Sequence, residues 1–224
     1  MERNIVCVKW GDKYSANHVN RLERMVQKNT SVPFSFYCMT EDPTGVNCKT
    51  IPLDASLNLH SWWWKISLFK DNTFPGDLNF YLDLDVVIQN NIDHLLVQVD
   101  QFTLIDFSEC DVDSVLPINS SIMKWGNNSM QELYNLFIEK KNIWMNLYHG
   151  LDGFIFYEYG KYVGWDSSVY YSRLKGNYID EPNDGKVKHG KGSFGVHYYP
   201  EKLICIFNQA NEEKFYQGYE KYFL

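Results

Sequence analysis

Apolar positions in this chain recur at every second residue in some segments and at every third or fourth in others, and the two periods alternate through the N-terminal half. Residues 4–10 read as a first strand. Ser15 then caps a helix whose Val19, Leu22, Met25 and Val26 form one apolar stripe. Residues 33–39 and 48–52 read as second and third strands, and 62–69 as a short helix. An almost continuous apolar run, Phe80-Tyr81-Leu82-Asp83-Leu84-Asp85-Val86-Val87-Ile88, follows as a buried strand. Strands separated by helical patterns predict an α/β fold: a mainly parallel, Rossmann-like sheet flanked by helices. In the second half, residues 102–107 and 118–123 read as strands, and Ser129 with Glu132 as a capping box ahead of a helix bearing Leu133, Leu136 and Phe137. Residues 152–159 are helix-like, 177–195 are loop-like with Pro182, Gly185, Gly190, Gly192 and Gly195, and 203–207 form a last strand. No internal repeat or linker is visible, so residues 1–224 are expected to form one domain.

The run at 80–88 carries two carboxylates where apolar side chains are the rule. A buried carboxylate costs several kcal/mol unless it is paired, hydrogen-bonded or metal-bound. In an extended segment Asp83 and Asp85 point to one side and Leu82, Leu84 and Val86 to the other. Two carboxylates so placed suit Mn²⁺ or Mg²⁺, whose shells are completed by water and substrate phosphates, so a phosphate ester is the expected ligand. In a doubly wound sheet such ligands lie beyond the carboxyl ends of the strands.

Composition narrows the choice. A formal charge of −7 leaves no basic stripe to neutralise a nucleic-acid backbone. No apolar run reaches the ~18 residues of a bilayer span, and Met1-Glu2-Arg3-Asn4 leads into a strand without the apolar core of a signal peptide. The expected location is therefore cytoplasmic. The five cysteines, Cys7, Cys38, Cys48, Cys110 and Cys205, are scattered without a C-x-x-C pair, and read as reduced, structural thiols.

A first strand ending in Val8-Lys9-Trp10-Gly11, Lys65 in a Trp-Trp-Trp-Lys helix and Tyr81-Leu82-Asp83-Leu84-Asp85, followed by Ile92-Asp93-His94-Leu95, together resemble small nucleotide-sugar glycosyltransferases of the GT-A fold. The resemblance is to the glycogenin and bacterial galactosyltransferase-like branch (family 8-like) and spans residues 4–207. It implies a metal-dependent transferase moving a hexose from UDP-glucose or UDP-galactose to a sugar, lipid or protein acceptor, with retention if stereochemistry follows the branch. By that resemblance Asp85 coordinates the metal, and Asp83 shares it or holds the ribose. Val8, Lys9 and Trp10 edge the base with Tyr14 stacking; Thr40 and Asp42 approach the nucleoside; Lys65 reaches the diphosphate. Asn119, Ser120 and Ser121 match the polar segment beside the sugar, and Asp152 an acidic position near sugar and acceptor. Asn208 stands where the branch carries its third metal ligand, a histidine, and the basic, proline-containing segment that follows there is missing. An amide oxygen binds Mn²⁺ more weakly than imidazole, which implies low metal affinity without nucleotide. His197 is an alternative ligand, with an ordinary polar contact as the simpler role.

Other features weigh against or beside this reading. At least two of Trp62, Trp63 and Trp64 are expected in the core, the remainder being available to stack a ligand. The lysine-rich stretch 186–193 reads as a solvated glycine loop or a phosphate-binding lid, and Asp111-Val112-Asp113 as a polar loop. The C-terminal aromatics Tyr216, Tyr219, Tyr222 and Phe223 are expected to pack on the protein's own core, with a partner surface as the alternative. Asp-x-Asp also opens haloacid-dehalogenase-like phosphatases, but those carry Thr where Val87 stands and place the motif near the chain start. A domain that binds nucleotide-sugar without turnover is the third reading.

Overall fold

The computed structural model describes residues 1–97, 101–107, 116–173, 199–207, 216 and 219–223. Strands β1 (Arg3–Lys9), β2 (Ser35–Thr40), β3 (Lys49–Pro52) and β4 (Leu78–Leu82) are joined side by side in parallel in the order β3-β2-β1-β4. The sheet continues through β7 (Ile118–Gly126), antiparallel to β4, then β6 (Thr103–Asp106) and the short β8 (Val163–Gly164). A second sheet holds β5 (Val86–Ile88) antiparallel to β10 (Ile204–Ile206), with β9 (Tyr170–Ser172) parallel to β10.

The period of two explains why both faces of the main sheet are covered. In β1, Ile5 and Cys7 belong to one core and Val6 to the other; in β4, Leu78, Phe80 and Leu82 face the first core and Tyr81 the second. Helix α1 (Ala16–Asn29) lays Val19, Leu22, Met25 and Val26 on the first core, as its stripe predicts. Ser15 precedes it, and its backbone N–H donates to His18 Nδ1 at 3.2 Å. The second core lies under the 3₁₀ segment Ser61–Phe69 and helix α2 (Gln131–Glu139). Trp63 and Trp64 are buried there at 2% and 5% exposure, whereas Trp62 is 36% exposed.

Two sequence expectations change, and one helix is added. The aspartate run is two strands rather than one: β4 stops at Leu82, residues 83–85 turn, and β5 joins the other sheet. Asp83 N still donates to Ser121 O at 2.9 Å and Phe207 N donates to Asp85 O at 2.9 Å, so this turn ties the two sheets together. The capping box at 129–132 is not formed; Met130 precedes α2, and Ser129 Oγ donates instead to Gly126 O at 2.7 Å. The helix expected at 152–159 is present, as α4 (Leu151–Phe154) continuing into a one-turn π-helix, Ile155–Tyr159, whereas α3 (Lys141–Leu147) was not expected from the sequence.

Tyr216 and Tyr219 are buried in the first core, with Tyr222 and Phe223 packed against it, as expected. Cys7, Cys38, Cys48 and Cys205 are free thiols. Cys110, Asp111, Asp113, His197, Asn208 and residues 186–193 lie outside the described residues. Among the described residues no helix is long and apolar enough to cross a membrane.

Candidate active site

The chain leaves β1 for β2 and β3 on one side and returns to β4 on the other, so strand order reverses between β1 and β4. A crevice opens at such a switch point, beyond the carboxyl ends of the strands. Here those ends are Val8 with Trp10 and the Asp83–Asp85 turn, and both line a cavity of about 370 Å³. Its walls also include Lys13, Tyr14, Ser61, Trp62, Lys65, Tyr81, Asn119, Ser120, Ser121, His149, Gly150 and Asp152.

The two aspartates have different surroundings. Asp83 is clamped: Lys65 Nζ lies 2.8 Å from Oδ1 and 3.0 Å from Oδ2, and the Tyr81 hydroxyl donates to Oδ1. The same ammonium donates to Ser120 O at 3.3 Å and Ser120 Oγ at 3.2 Å and sits 5.2 Å from the Tyr81 ring centre. Asp85 is 5% exposed and accepts from the Tyr14 hydroxyl at 3.2 Å. Burial, then the negative charges of Asp85 and Asp83, hold the Tyr14 phenol well above its ordinary pKa, so it remains a donor.

Asp152 enters from α4, with Ser120 N donating to Oδ1 at 3.2 Å. Burial pushes its carboxyl above the ordinary carboxylate value, against the opposing pull of Lys65 and the Ser120 hydrogen bond. Asn119 accepts from Ser121 N at 2.9 Å, which steadies the polar edge of β7. The register between β6 and β7 shifts between Thr103 and Ile105, beside this edge, the kind of irregularity that re-aims side chains near sites.

Of the residues singled out in the sequence, Val8, Trp10, Tyr14, Lys65, Asp83, Asp85, Asn119, Ser121 and Asp152 meet at this cavity. Lys9, Thr40 and Asp42 are not among its lining residues. Lys9 alternates to the opposite face of β1 from Val8 and is 6% exposed. Thr40 Oγ1 donates to Asp42 O at 3.1 Å, and the Asp42 carboxylate accepts from Thr44 N at 3.0 Å in an exposed turn. Ser61, His149 and Gly150 were not anticipated. Gly150 and Gly153 flank Asp152, a spacing that marks close backbone approach, whereas nothing in the sequence distinguishes His149 or Ser61.

Carboxylate oxygens at Asp83 and Asp85, with Asn and Ser oxygens beside them, form a hard donor set that fits Mg²⁺ or Mn²⁺. Among the described residues no group of three or more His, Cys, Asp or Glu is placed to hold a metal ion by itself.

No protein-family model matches the chain, and no curated protein matches it in sequence. Solved structures match its shape. The galactosyltransferase LgtC, whose structure contains donor and acceptor sugar analogs, aligns with TM-score 0.64 at 10% identity over 98% of this chain and 93% of its own. An active-site mutant of LgtC gives 0.66 over the same shares. The glycosyltransferase GlyE of Streptococcus pneumoniae TIGR4 gives 0.61 at 14% identity, over 99% of this chain and 61% of its own. A glycosyltransferase involved in glycosylation of the major capsid of PBCV-1 gives 0.55 at 13% identity over 98% of both chains. The fold is that of the GT-A glycosyltransferases, a mainly parallel sheet with the aspartate turn at its switch point.

Proposed function

We propose that this protein is a glycosyltransferase that moves a hexose from a nucleotide-sugar, UDP-glucose or UDP-galactose, to an acceptor hydroxyl with the help of Mn²⁺ or Mg²⁺. The observation that carries the reading is the turn bearing Asp83 and Asp85 at the switch point, opening on the cavity that also holds Trp10, Tyr14, Lys65, Asn119 and Asp152.

Asp83 and Asp85 would hold the metal, which, when bound, neutralises the charge that develops on the departing diphosphate. Trp10 and Tyr14 offer aromatic faces to the base at the β1 end of the cavity. Lys65 adds a cation that can turn from Asp83 toward a phosphate oxygen, since its stem is flexible and its ammonium carries three rotatable donors. Asn119 and Ser121 present polar groups to the sugar. The acceptor oxygen bonds to the anomeric carbon as the bond from that carbon to the phosphate oxygen breaks, and its electron pair leaves on the nucleoside diphosphate. The hydroxyl proton passes to the Asp152 carboxylate, whose raised affinity for a proton suits a base. A haloacid-dehalogenase-like phosphatase would instead carry Thr where Val87 stands, and Val87 is an apolar side chain buried in β5.

Calorimetric titration of UDP and other nucleoside diphosphates, with Mn²⁺, Mg²⁺ or chelator, tests the reading. Metal-dependent, base-selective binding that Asp85→Asn loses by at least about tenfold, or roughly 1.4 kcal/mol, is expected. No nucleoside diphosphate binding under any metal condition would overturn it.

A further inference from the structure

The wall of the donor cavity formed by Trp62 and His149 is also the wall of a second, open cavity of about 490 Å³, whose other lining residues include His60, Asn146, Leu147 and Tyr148. Trp62 and His149 are the residues the two spaces share, and their rings meet at 5.2 Å with an interplanar angle of 53°. The base side of the donor cavity, at Trp10 and Tyr14, and the aspartate turn are served by other residues. Trp62 therefore stands between the reacting centre at Asp152 and the route beyond it.

Two local features hold the indole there. Ser61, immediately before it, has φ 54°, in the left-handed region that a residue with a side chain adopts at a cost. Gly150 supplies the second: a Cβ at that position would lie 2.7 Å from Trp62 Nε1 and 2.9 Å from Cδ1, so only glycine admits the ring so close to the backbone. These constraints leave the indole 36% exposed while its neighbours Trp63 and Trp64 are buried. A large aromatic left about one-third exposed by a strained residue and a missing Cβ is poorly explained by core packing, which the two neighbours already supply.

A hexose is the ligand this surface fits. One face of a pyranose ring presents C–H groups that lie flat on an aromatic ring, while its rim of hydroxyls needs donors and acceptors around the edge. Trp62 offers the flat face, and His60, Asn146 and His149 offer polar groups at the margin of the same space. A nucleotide diphosphate would find no cation among the residues lining this second cavity other than its histidines. We infer that the second cavity is the acceptor subsite, in which Trp62 stacks on a glycosyl unit adjacent to the one that receives the hexose. The acceptor is accordingly a glycan of two or more sugar units. This inference rests on the transferase reading above.

The test is retention of the full chain on a printed array of mono- and oligosaccharides, in the presence of UDP and Mn²⁺, with UDP affinity measured calorimetrically on each protein. The wild type is expected to be retained by a subset of oligosaccharides and not by their monosaccharides. Trp62→Ala is expected to lose that retention by about tenfold or more, as for a central aromatic contact, and Trp62→Phe to keep part of it. Gly150→Ala, which displaces the indole without removing it, should reproduce the loss. Circular dichroism of each variant establishes that the fold is retained. Undiminished retention of Trp62→Ala, or a wild type that binds UDP but no oligosaccharide, would overturn the inference alone. A wild type that binds no nucleoside diphosphate would overturn the transferase reading and the acceptor assignment with it, so the two failures are distinguishable.

Discussion

Replacing Lys65 with methionine removes the cation that clamps Asp83 while keeping most of the side-chain volume. At 2.8 Å, with an effective dielectric of about 20, the direct attraction between Lys65 and Asp83 is about 6 kcal/mol. Desolvation of both ions consumes much of that, and losing one partner of a fully buried pair costs about 3–5 kcal/mol. These side chains are 12% and 21% exposed, so water recovers part of the loss, and we expect Lys65→Met to cost about 2–3 kcal/mol. For a chain of this size that corresponds to a fall in Tm of about 4–12 °C. Asp83→Asn should cost less, because Lys65 keeps its bonds to Ser120 O and Ser120 Oγ and the amide still accepts from the Tyr81 hydroxyl. Calorimetry and urea unfolding on both single variants and the double variant close the cycle. The double variant should be more stable than the sum of the single losses predicts, by about 1–2 kcal/mol. Additivity to within about 0.5 kcal/mol would refute the view that this ion pair organises the site before ligand arrives.

Asp152→Asn should abolish most turnover, by about 10²-fold or more if Asp152 accepts the proton, yet raise Tm at neutral pH. Burial raises the folded carboxyl above its unfolded value, so ionisation penalises the folded state as pH rises through that folded value; the gain should vanish below about pH 4, where both forms are protonated. An unchanged Tm at pH 7 would contradict the assigned burial. Asp93 behaves oppositely: hydrogen bonds from Ser31, then Thr30, hold its carboxyl well below the ordinary range and tie the end of α1 to the 3₁₀ turn Asp93–Leu95. Its contribution is complete above the unfolded value near pH 3.9 and is lost as pH falls through the depressed folded value, so Asp93→Asn should flatten the acid limb of a Tm–pH curve. In native protein at pH 8, peptide mapping after iodoacetamide should find Cys7, Cys38 and Cys205 protected by burial. Cys48, half-buried with a thiol pushed up to about 12 chiefly by desolvation, should label slowly; rapid labelling of Cys7 would show that the first core opens.

The sequence by itself determined the alternating framework, because strand and helix periods are local. The faces of β1, α1 and β4 follow from spacing alone: Ile5 and Cys7 against Val6, the stripe from Val19 to Val26, and Phe80 against Tyr81. The aspartate pair was also legible, since two carboxylates in an apolar run demand partners. What those partners are depends on contacts between distant residues. Lys65 reaches Asp83 across 18 positions, Ser120 meets Asp152 across 32, and Tyr14 meets Asp85 across 71, distances over which no periodicity carries information. Tertiary pairing also broke the run at Leu82, because β5 finds its neighbour in β10 rather than in the main sheet. The same logic separates the three tryptophans: one apolar triplet reads alike in sequence, and only the approach of Gly150 and the turn at Ser61 leave Trp62 facing solvent between two cavities while Trp63 and Trp64 fill the core. Local sequence sets which faces are apolar, but the three-dimensional closure of the chain decides which groups are forced together and which are left exposed to meet a ligand.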